Sequence, residues 1–333
     1  MPPNLFRRAM ALLPTSPSSQ LFLAMTALET VVDVCIVAIL LNSFEGKILS
    51  TVLERNEDSV LPVYLGLFVL AHLVQLVLAF DAIIAKNTIQ VVALVVFNTL
   101  FLVYSIIQIL EIKDLLETGT LRILVWLIPV MISLTEATYI GTFYWVYRDF
   151  GWQVFKKIGA DRSIKRIYAM YQVFLCILKF DVFFFIAFSL QLVLLVLQQN
   201  DLERYLTVAA LPITLLILIM GYFAIRREIR SLFWVFLLGC VAGACYFVYK
   251  LILIYRNRET DYVLVYKSLT VFAALCFATL LGTAVTSFIC YRNFGRGLRY
   301  HLMKETPTRH GEGDDFDDEE HERYKLGNRM SID

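Results

Sequence analysis

Charged residues are scarce in this sequence, and their scarcity excludes most soluble folds. Only 18% of the 333 residues are Asp, Glu, Lys or Arg, whereas 59% are hydrophobic and the mean hydropathy is +0.67. A typical soluble domain is about 25% charged and about half apolar. The formal net charge of +1 also lacks the positive excess that favours binding to nucleic acid, so no nucleic-acid partner is expected.

The sequence also lacks the motifs of common enzyme classes. It contains neither the Gly-x-Ser-x-Gly nucleophile elbow nor the Walker Gly-x-x-x-x-Gly-Lys-Ser/Thr loop. Histidine is scarce too, because His72 alone among four histidines lies in an apolar segment. Multi-histidine metal enzymes need several such ligands. We therefore predict a protein that is not an enzyme and has no cofactor or metal centre.

Long apolar runs dominate what is present. Eight of them reach the roughly 20 residues that a helix needs to cross the bilayer, namely 21–42, 61–84, 89–110, 121–147, 174–198, 205–225, 232–255 and 268–291. In lipid the backbone must satisfy its own hydrogen bonds, so these runs predict helices. We predict an all-α polytopic membrane bundle of about eight helices, 20–292. It follows an N-terminal segment, 1–19, and precedes a disordered polar tail, 293–333.

Lys and Arg are unevenly distributed between the two ends of the predicted helices. Sixteen of them lie in or beside the segments on the side of the N terminus, and nine lie on the opposite side. Positive residues accumulate on the cytosolic side of membrane proteins. Both termini are therefore predicted to be cytosolic.

The stretch between the fourth and fifth apolar runs is the largest predicted internal cytosolic feature. Gly159 can end one helix and Asp161 can cap the next, so both helices are expected to extend into the cytosol as a short hairpin. Its basic and aromatic residues are candidates for contact with anionic lipid or a partner protein, namely Trp152, Lys156, Lys157, Arg162, Lys165 and Arg166. The alternative is that they only mark the cytosolic side of the membrane.

Five polar residues lie near the middle of the first four predicted helices. They are Glu29 and Asp33 in the first helix, His72 in the second, Asn98 in the third and Glu136 in the fourth. An ionisable side chain at the bilayer centre costs about 2.5–3.5 kcal/mol on insertion scales, so this polar layer should face the bundle interior. Glu29 and Asp33 share one helical face, where two ionised carboxylates repel, so a proton or another partner is required.

The polar layer has two explanations. In the first, Glu29 and Asp33 bind a proton or cation and His72 exchanges protons near neutral pH. Asn98 and Glu136 then complete a midplane site for an ion or small-molecule substrate, as in a proton- or cation-coupled transporter. In the second, all five residues are hydrogen-bonding contacts between helices. The alternative function is a non-catalytic scaffold or trafficking factor, whose cytosolic hairpin and tail bind trafficking proteins.

Further residues are interpreted as packing or anchoring positions. Gly239 and Gly243 form a Gly-x-x-x-Gly pair that permits close helix contact, either inside the bundle or with another subunit, so the oligomeric state stays open. Lys179 and Lys250 lie near predicted membrane edges, where their side chains can reach the surface. Asp181 lies beside Lys179, which favours a structural role.

The segment around the hairpin resembles a known family. It reads Trp152-Gln-Val-Phe-Lys-Lys-Ile-Gly-Ala-Asp161, continues through Tyr168 and Tyr171-Gln172, and ends with Cys176-Ile-Leu-Lys-Phe-Asp-Val-Phe-Phe-Phe185. These residues resemble the fungal uncharacterised multi-pass membrane proteins of the Golgi apparatus. The resemblance implies residence in the Golgi membrane and carries over no activity or site residues.

Overall fold

Eight long helices make up nearly all of the chain that the structure describes. The computed structural model describes residues 16–51, 60–112, 119–158, 162–196, 202–259 and 266–295. The helices are α1 (Pro17–Thr51), α2 (Val60–Ile84), α3 (Thr88–Ile112), α4 (Gly119–Ile158), α5 (Arg162–Gln191), α6 (Leu202–Arg226), α7 (Arg230–Arg256) and α8 (Tyr266–Arg292). A π-helical segment, Leu192–Val196, continues α5. No strand occurs within these described ranges.

Every one of these helices contains a stretch that is long and apolar enough to cross a bilayer. This confirms the predicted all-α polytopic fold with eight spanning helices. The cytosolic location of both termini stays a prediction. The segment 1–15, the tail from 296 onward and the expected hairpin turn at 159–161 lie outside the described residues.

Helices α4 and α5 run past the spans predicted for them. Helix α4 has 40 residues and continues to Ile158, and α5 begins at Arg162. A helix of 40 residues is about 60 Å long, twice the roughly 30 Å of the hydrocarbon layer. Part of α4 must therefore project beyond the membrane core, as a helical hairpin between α4 and α5 requires.

The helices form two groups of four with the same order of contacts. In the N-terminal bundle, α1 and α3 each pack against both α2 and α4. In the C-terminal bundle, α5 and α7 each pack against both α6 and α8. Helix α5 also contacts α2 and α3, and so joins the two bundles. The chain thus repeats one four-helix plan.

The second and third helices of each bundle are joined by the same kind of turn. In both turns, two backbone N–H groups donate to carbonyls five and three residues earlier. The bonds run from Asn87 to Ala82 (2.9 Å), from Lys86 to Ile83 (3.3 Å), from Ile229 to Ala224 (3.0 Å) and from Glu228 to Ile225 (3.4 Å). This is the Schellman ending of a helix. Lys86 (φ 52°) and Glu228 (φ 55°) hold its left-handed position, which glycine usually occupies.

A polar contact links the two bundles near the end of α2. Lys179 on α5 donates to the Asp81 carboxylate of α2 and to Gln90 Oε1 of α3, the latter over 2.9 Å. Gln90 Nε2 donates in turn to Asp81 Oδ2 over 2.8 Å. Lys179 is therefore an ion-pair partner between helices, and because its side chain stays 31% exposed, its reach to the membrane surface stays a prediction.

The glycine pair of α7 packs against helices of the same chain. A Cβ atom on Gly239 would lie 2.8 Å from Ile217 Cγ2 of α6. A Cβ atom on Gly243 would lie 2.9 Å from Leu280 Cδ2 of α8. Since real Cβ atoms do not approach neighbours this closely, an alanine at either position would require the facing side chain to shift, so the glycines permit close contact inside the bundle.

Candidate functional site

The structure brings the five residues of the polar layer together at the centre of the N-terminal bundle. Glu29, Asp33, His72 and Asn98 are 0% exposed, and Glu136 is partly exposed. They come from four different helices, so their side chains can meet only in the interior of the bundle. The polar layer therefore forms one connected site, closed to solvent except at Glu136.

Asp33 and His72 form the core of the site, joined by Glu29. His72 Nε2 lies 3.2 Å from Asp33 Oδ2, which makes a buried acid–imidazole pair at hydrogen-bonding distance, while Asp33 Oδ1 and His72 Nδ1 have no hydrogen-bond partner among the described residues. Within the same part of the chain, Glu29 Oε1 also lacks one. One donor atom from each of the three residues lies within 4.8 Å of the other two. We call these three residues the acid–imidazole cluster.

Unpartnered polar atoms at this depth are energetically costly. Each buried group without a hydrogen bond costs about 1–3 kcal/mol, and an ionised one costs more. Side chains that only hold helices together would be expected to satisfy each other. The unpaired atoms of the acid–imidazole cluster can accept a proton, an ion or a polar ligand.

Two aromatic rings hold the imidazole of His72 in place. The Phe68 ring lies edge-on at a centroid distance of 4.8 Å, and the Phe101 ring lies at 4.5 Å. Both phenylalanines are buried. The imidazole therefore has little freedom to turn, and its orientation towards Asp33 is set by packing.

Two amides connect the acid–imidazole cluster to Glu136. Gln75 Nε2 donates to Glu29 Oε2 (3.2 Å) and to Asn98 Oδ1 (3.0 Å). Asn98 Nδ2 donates to Glu136 Oε2 (2.9 Å), and the exposed Thr99 hydroxyl donates to Glu136 Oε1 (2.9 Å). The hydrogen bonds therefore run continuously from the buried cluster to the outer surface between α3 and α4.

Gln75 and Tyr139 belong to the site although the sequence analysis did not select them. The Tyr139 hydroxyl lies 2.6 Å from Thr26 Oγ1 and 3.4 Å from Gln75 Nε2. Gln75 follows His72, and Tyr139 follows Glu136, by three positions on their helices. Residues at this spacing share a helical face, so the positions of His72 and Glu136 carried the signal.

Tyr139→Phe should lower stability without removing any group of the acid–imidazole cluster. The hydroxyl of Tyr139 is the partner of Thr26 and Gln75, whereas its ring keeps the stacking on Phe22 at 4.1 Å. We expect a loss of about 1–2 kcal/mol in the free energy of unfolding, measured by thermal unfolding in detergent. Tyr144→Phe, on the exposed face of α4, is the matched control and should change little. Equal unfolding temperatures for the two variants would contradict the structural role of the hydroxyl.

Two charged residues of the C-terminal bundle lie deeper than the sequence suggested. Lys250 is 1% exposed, with its ammonium 5.8 Å from the centre of the Tyr246 ring, so the surface-anchor interpretation was wrong. Asp181 is buried, accepts a hydrogen bond from Thr283 and lines a cavity of about 220 Å³ among α5, α6, α7 and α8. The position of a residue along its helix does not tell which face of the helix it lies on, so the burial of Lys250 could not be predicted.

The predicted membrane-surface residues are only partly described. Trp152 is 58% exposed, Arg166 is exposed and Lys165 is partly exposed. The side chains of Lys156, Lys157 and Arg162 lie outside the described part of the chain. Contact of this hairpin with lipid or a partner protein therefore stays a prediction.

Comparison with known proteins supports the family resemblance. The chain is similar to a UPF0658 Golgi apparatus membrane protein of Schizosaccharomyces pombe, with 27% identity over 90% of this chain and 94% of that protein. No protein-family model matches the chain, and no solved structure matches it. The similarity over nearly the full length of both proteins confirms the resemblance predicted from the hairpin segment. The chain thus has the eight membrane-length helices of a multi-pass membrane protein, and it is similar along nearly its whole length to a fungal protein named for the Golgi apparatus membrane.

Proposed function

We propose that this protein is a proton- or cation-coupled transporter whose coupling site is the acid–imidazole cluster of Glu29, Asp33 and His72. The observation that supports the proposal is the set of buried, unpartnered atoms on these three side chains. Intramembrane ionisable residues are costly and are typical of ion pathways and proton relays. A bound proton or cation would supply the partner that the described side chains do not provide.

The charge of the acid–imidazole cluster suggests how binding couples to movement. With Glu29 and Asp33 ionised and His72 neutral, the cluster carries two negative charges in a low-dielectric interior. Uptake of a proton or cation lowers this charge and stabilises the closed, fully buried arrangement that the structure describes. Release then requires the cluster to open to water. The ion would thus favour one of two conformations, which is what coupling needs.

The architecture supports the same proposal. Many secondary transporters consist of repeated units that move against each other, with substrate and ion sites near the bilayer midplane. Here two four-helix bundles repeat one plan, and α5 joins them through contacts with α2 and α3. The acid–imidazole cluster includes a residue of α2, so movement at the joint between bundles would reach the site directly.

Charge movement tests the proposal even while the transported substrate is unidentified. The purified protein is reconstituted in liposomes on a solid-supported membrane, and currents are recorded after jumps in pH or in cation concentration. We expect a transient current that empty liposomes do not give, because binding to the acid–imidazole cluster moves charge into the membrane. Absence of current after every jump, with the protein shown to be folded and inserted, would contradict the proposal.

The scaffold alternative depends on the cytosolic hairpin and tail. Most of these residues lie outside the described ranges, and of the basic hairpin residues only the side chains of Lys165 and Arg166 are described. Deletion of residues 296–333 separates the two functions. A transporter should keep its current after this deletion, whereas a scaffold should lose its co-purifying proteins.

A further inference from the structure

We infer that the acid–imidazole cluster binds a divalent transition-metal ion, such as Mn²⁺ or Zn²⁺. The inference deepens the proposed function by naming the class of ion. It rests on the proposed function in one respect, which is that the same three residues form the ion site. The donor set gives the first reason. Mg²⁺ and Ca²⁺ prefer oxygen ligands alone, whereas imidazole nitrogen together with carboxylate oxygens suits Mn²⁺, Fe²⁺ and Zn²⁺.

The distances give the second reason. Ligand atoms at about 2.0–2.2 Å from one ion lie roughly 3–3.6 Å from each other in tetrahedral or octahedral geometry. His72 Nε2 and Asp33 Oδ2 are 3.2 Å apart, which is the spacing expected of two ligands of one ion. A Glu29 oxygen lies within 4.8 Å of both, so a small side-chain rotation brings it to the same ion.

Charge and unpaired atoms give the third reason. Two ionised carboxylates and a neutral imidazole carry the two negative charges that a divalent ion neutralises, which removes most of the cost of burying them. Gln75, held to Glu29 by its amide nitrogen, has a buried Oε1 without a hydrogen-bond partner in the described ranges. This oxygen can serve as a fourth ligand. The acid–imidazole cluster thus offers one nitrogen and two carboxylate oxygens within 4.8 Å of one another, with the amide of Gln75 bonded beside them.

Co²⁺ tests the site directly, because its visible absorption reports ligand geometry and it replaces Zn²⁺ and Mn²⁺ in such sites. The full-length protein in detergent is titrated with Co²⁺ alone. We expect one bound ion per chain, with binding weakened at least about tenfold by His72→Gln or Asp33→Asn. The matched control is Asp181→Asn, which removes a buried carboxylate of the other bundle and should leave the affinity unchanged.

Replacing one metal-ligating side chain by another keeps the test decisive if a variant that removes the ligand folds poorly. His72→Cys should bind Co²⁺ with a sulfur-to-cobalt charge-transfer band, which only direct coordination produces. The tail supplies the competing explanation, since His301, His310 and His321 could capture the ion. Loss of binding when these three are changed to Gln, or Co²⁺ binding to His72→Cys without the new band, would overturn the metal site.

The outcome also separates this inference from the proposed function. Currents after pH jumps from a protein that binds no Co²⁺, Mn²⁺ or Zn²⁺ would overturn the metal site and leave proton coupling in place. One tightly bound ion in a protein that gives no current would uphold the metal site and contradict transport. Currents that require the metal ion would support both.

Discussion

Asp33→Asn should reduce the charge movement of the reconstituted protein to the level of empty liposomes while the fold and the cellular location persist. The substitution keeps the volume of the side chain and its capacity for hydrogen bonding, but removes the group that ionises. Asp33 is 0% exposed and its carboxylate lies 3.2 Å from the imidazole of His72, so the substitution leaves this buried contact without its titratable partner. The measurement is the current after pH and cation jumps, compared with wild type at equal protein density.

Two companion variants decide between coupling and mere helix contact. Asp33→Ala removes every polar atom, so a purely structural Asp33 predicts reduced stability for Ala and wild-type behaviour for Asn. Asp181→Asn applies the same chemical change in the C-terminal bundle and should keep the current. A wild-type current from Asp33→Asn would show that Asp33 is not the coupling residue.

The polar layer could be predicted from the sequence because lipid penalises ionisable groups so heavily. A carboxylate such as Glu29 in the middle of an apolar run has to face other helices, and three carboxylates, one histidine and one asparagine at one depth predict one site. The eight helices were predictable for the same reason, since the backbone has no alternative in the hydrocarbon layer.

Contacts between particular helices could not be predicted. Hydropathy gives the ends of each helix but not the face that contacts a neighbouring helix. Leu, Ile, Val and Phe side chains pack equally well against lipid and against protein. Gln75 and Tyr139 were missed because their role depends on which residues oppose them across α1 and α3. Lys250 was misplaced because its distance from the helix end says nothing about its burial.

The repeated bundle plan was equally hidden in the sequence. Its clearest trace is the pair of Schellman turns, each preceded by a buried Ala-Ile dipeptide, 82–83 and 224–225. The residues with a left-handed backbone conformation in these turns are Lys86 and Glu228. A glycine at these positions would have indicated the turn from the sequence. Because apolar residues interchange freely in a membrane core, two bundles can share helix order and turn geometry with little identity between their sequences.

Gly221→Ala should cause a larger loss of stability than alanine at any of the lipid-facing glycines. A Cβ atom on Gly221 of α6 would lie 2.4, 2.6 and 2.8 Å from three carbons of the Phe236 ring on α7. Phe236 is 0% exposed and packs edge-on against Phe174 at 6.2 Å, so the ring has no space to move aside. Overpacking of this kind costs about 1–3 kcal/mol. The measurement is the unfolding temperature in detergent, together with the yield of monodisperse protein.

Gly66 and Gly141 are the matched controls, because a Cβ atom at either position meets nothing within 4 Å. Alanine there should be neutral or should stabilise the helix by up to about 1 kcal/mol, since glycine is the poorer helix former. The double variant Gly221→Ala with Phe236→Leu should recover part of the loss, because the shorter side chain frees the space that the new methyl group needs. If Gly221→Ala were as stable as Gly66→Ala, α6 and α7 would have to be farther apart than described. Their register, which the turn at Glu228 fixes, would then have to be different.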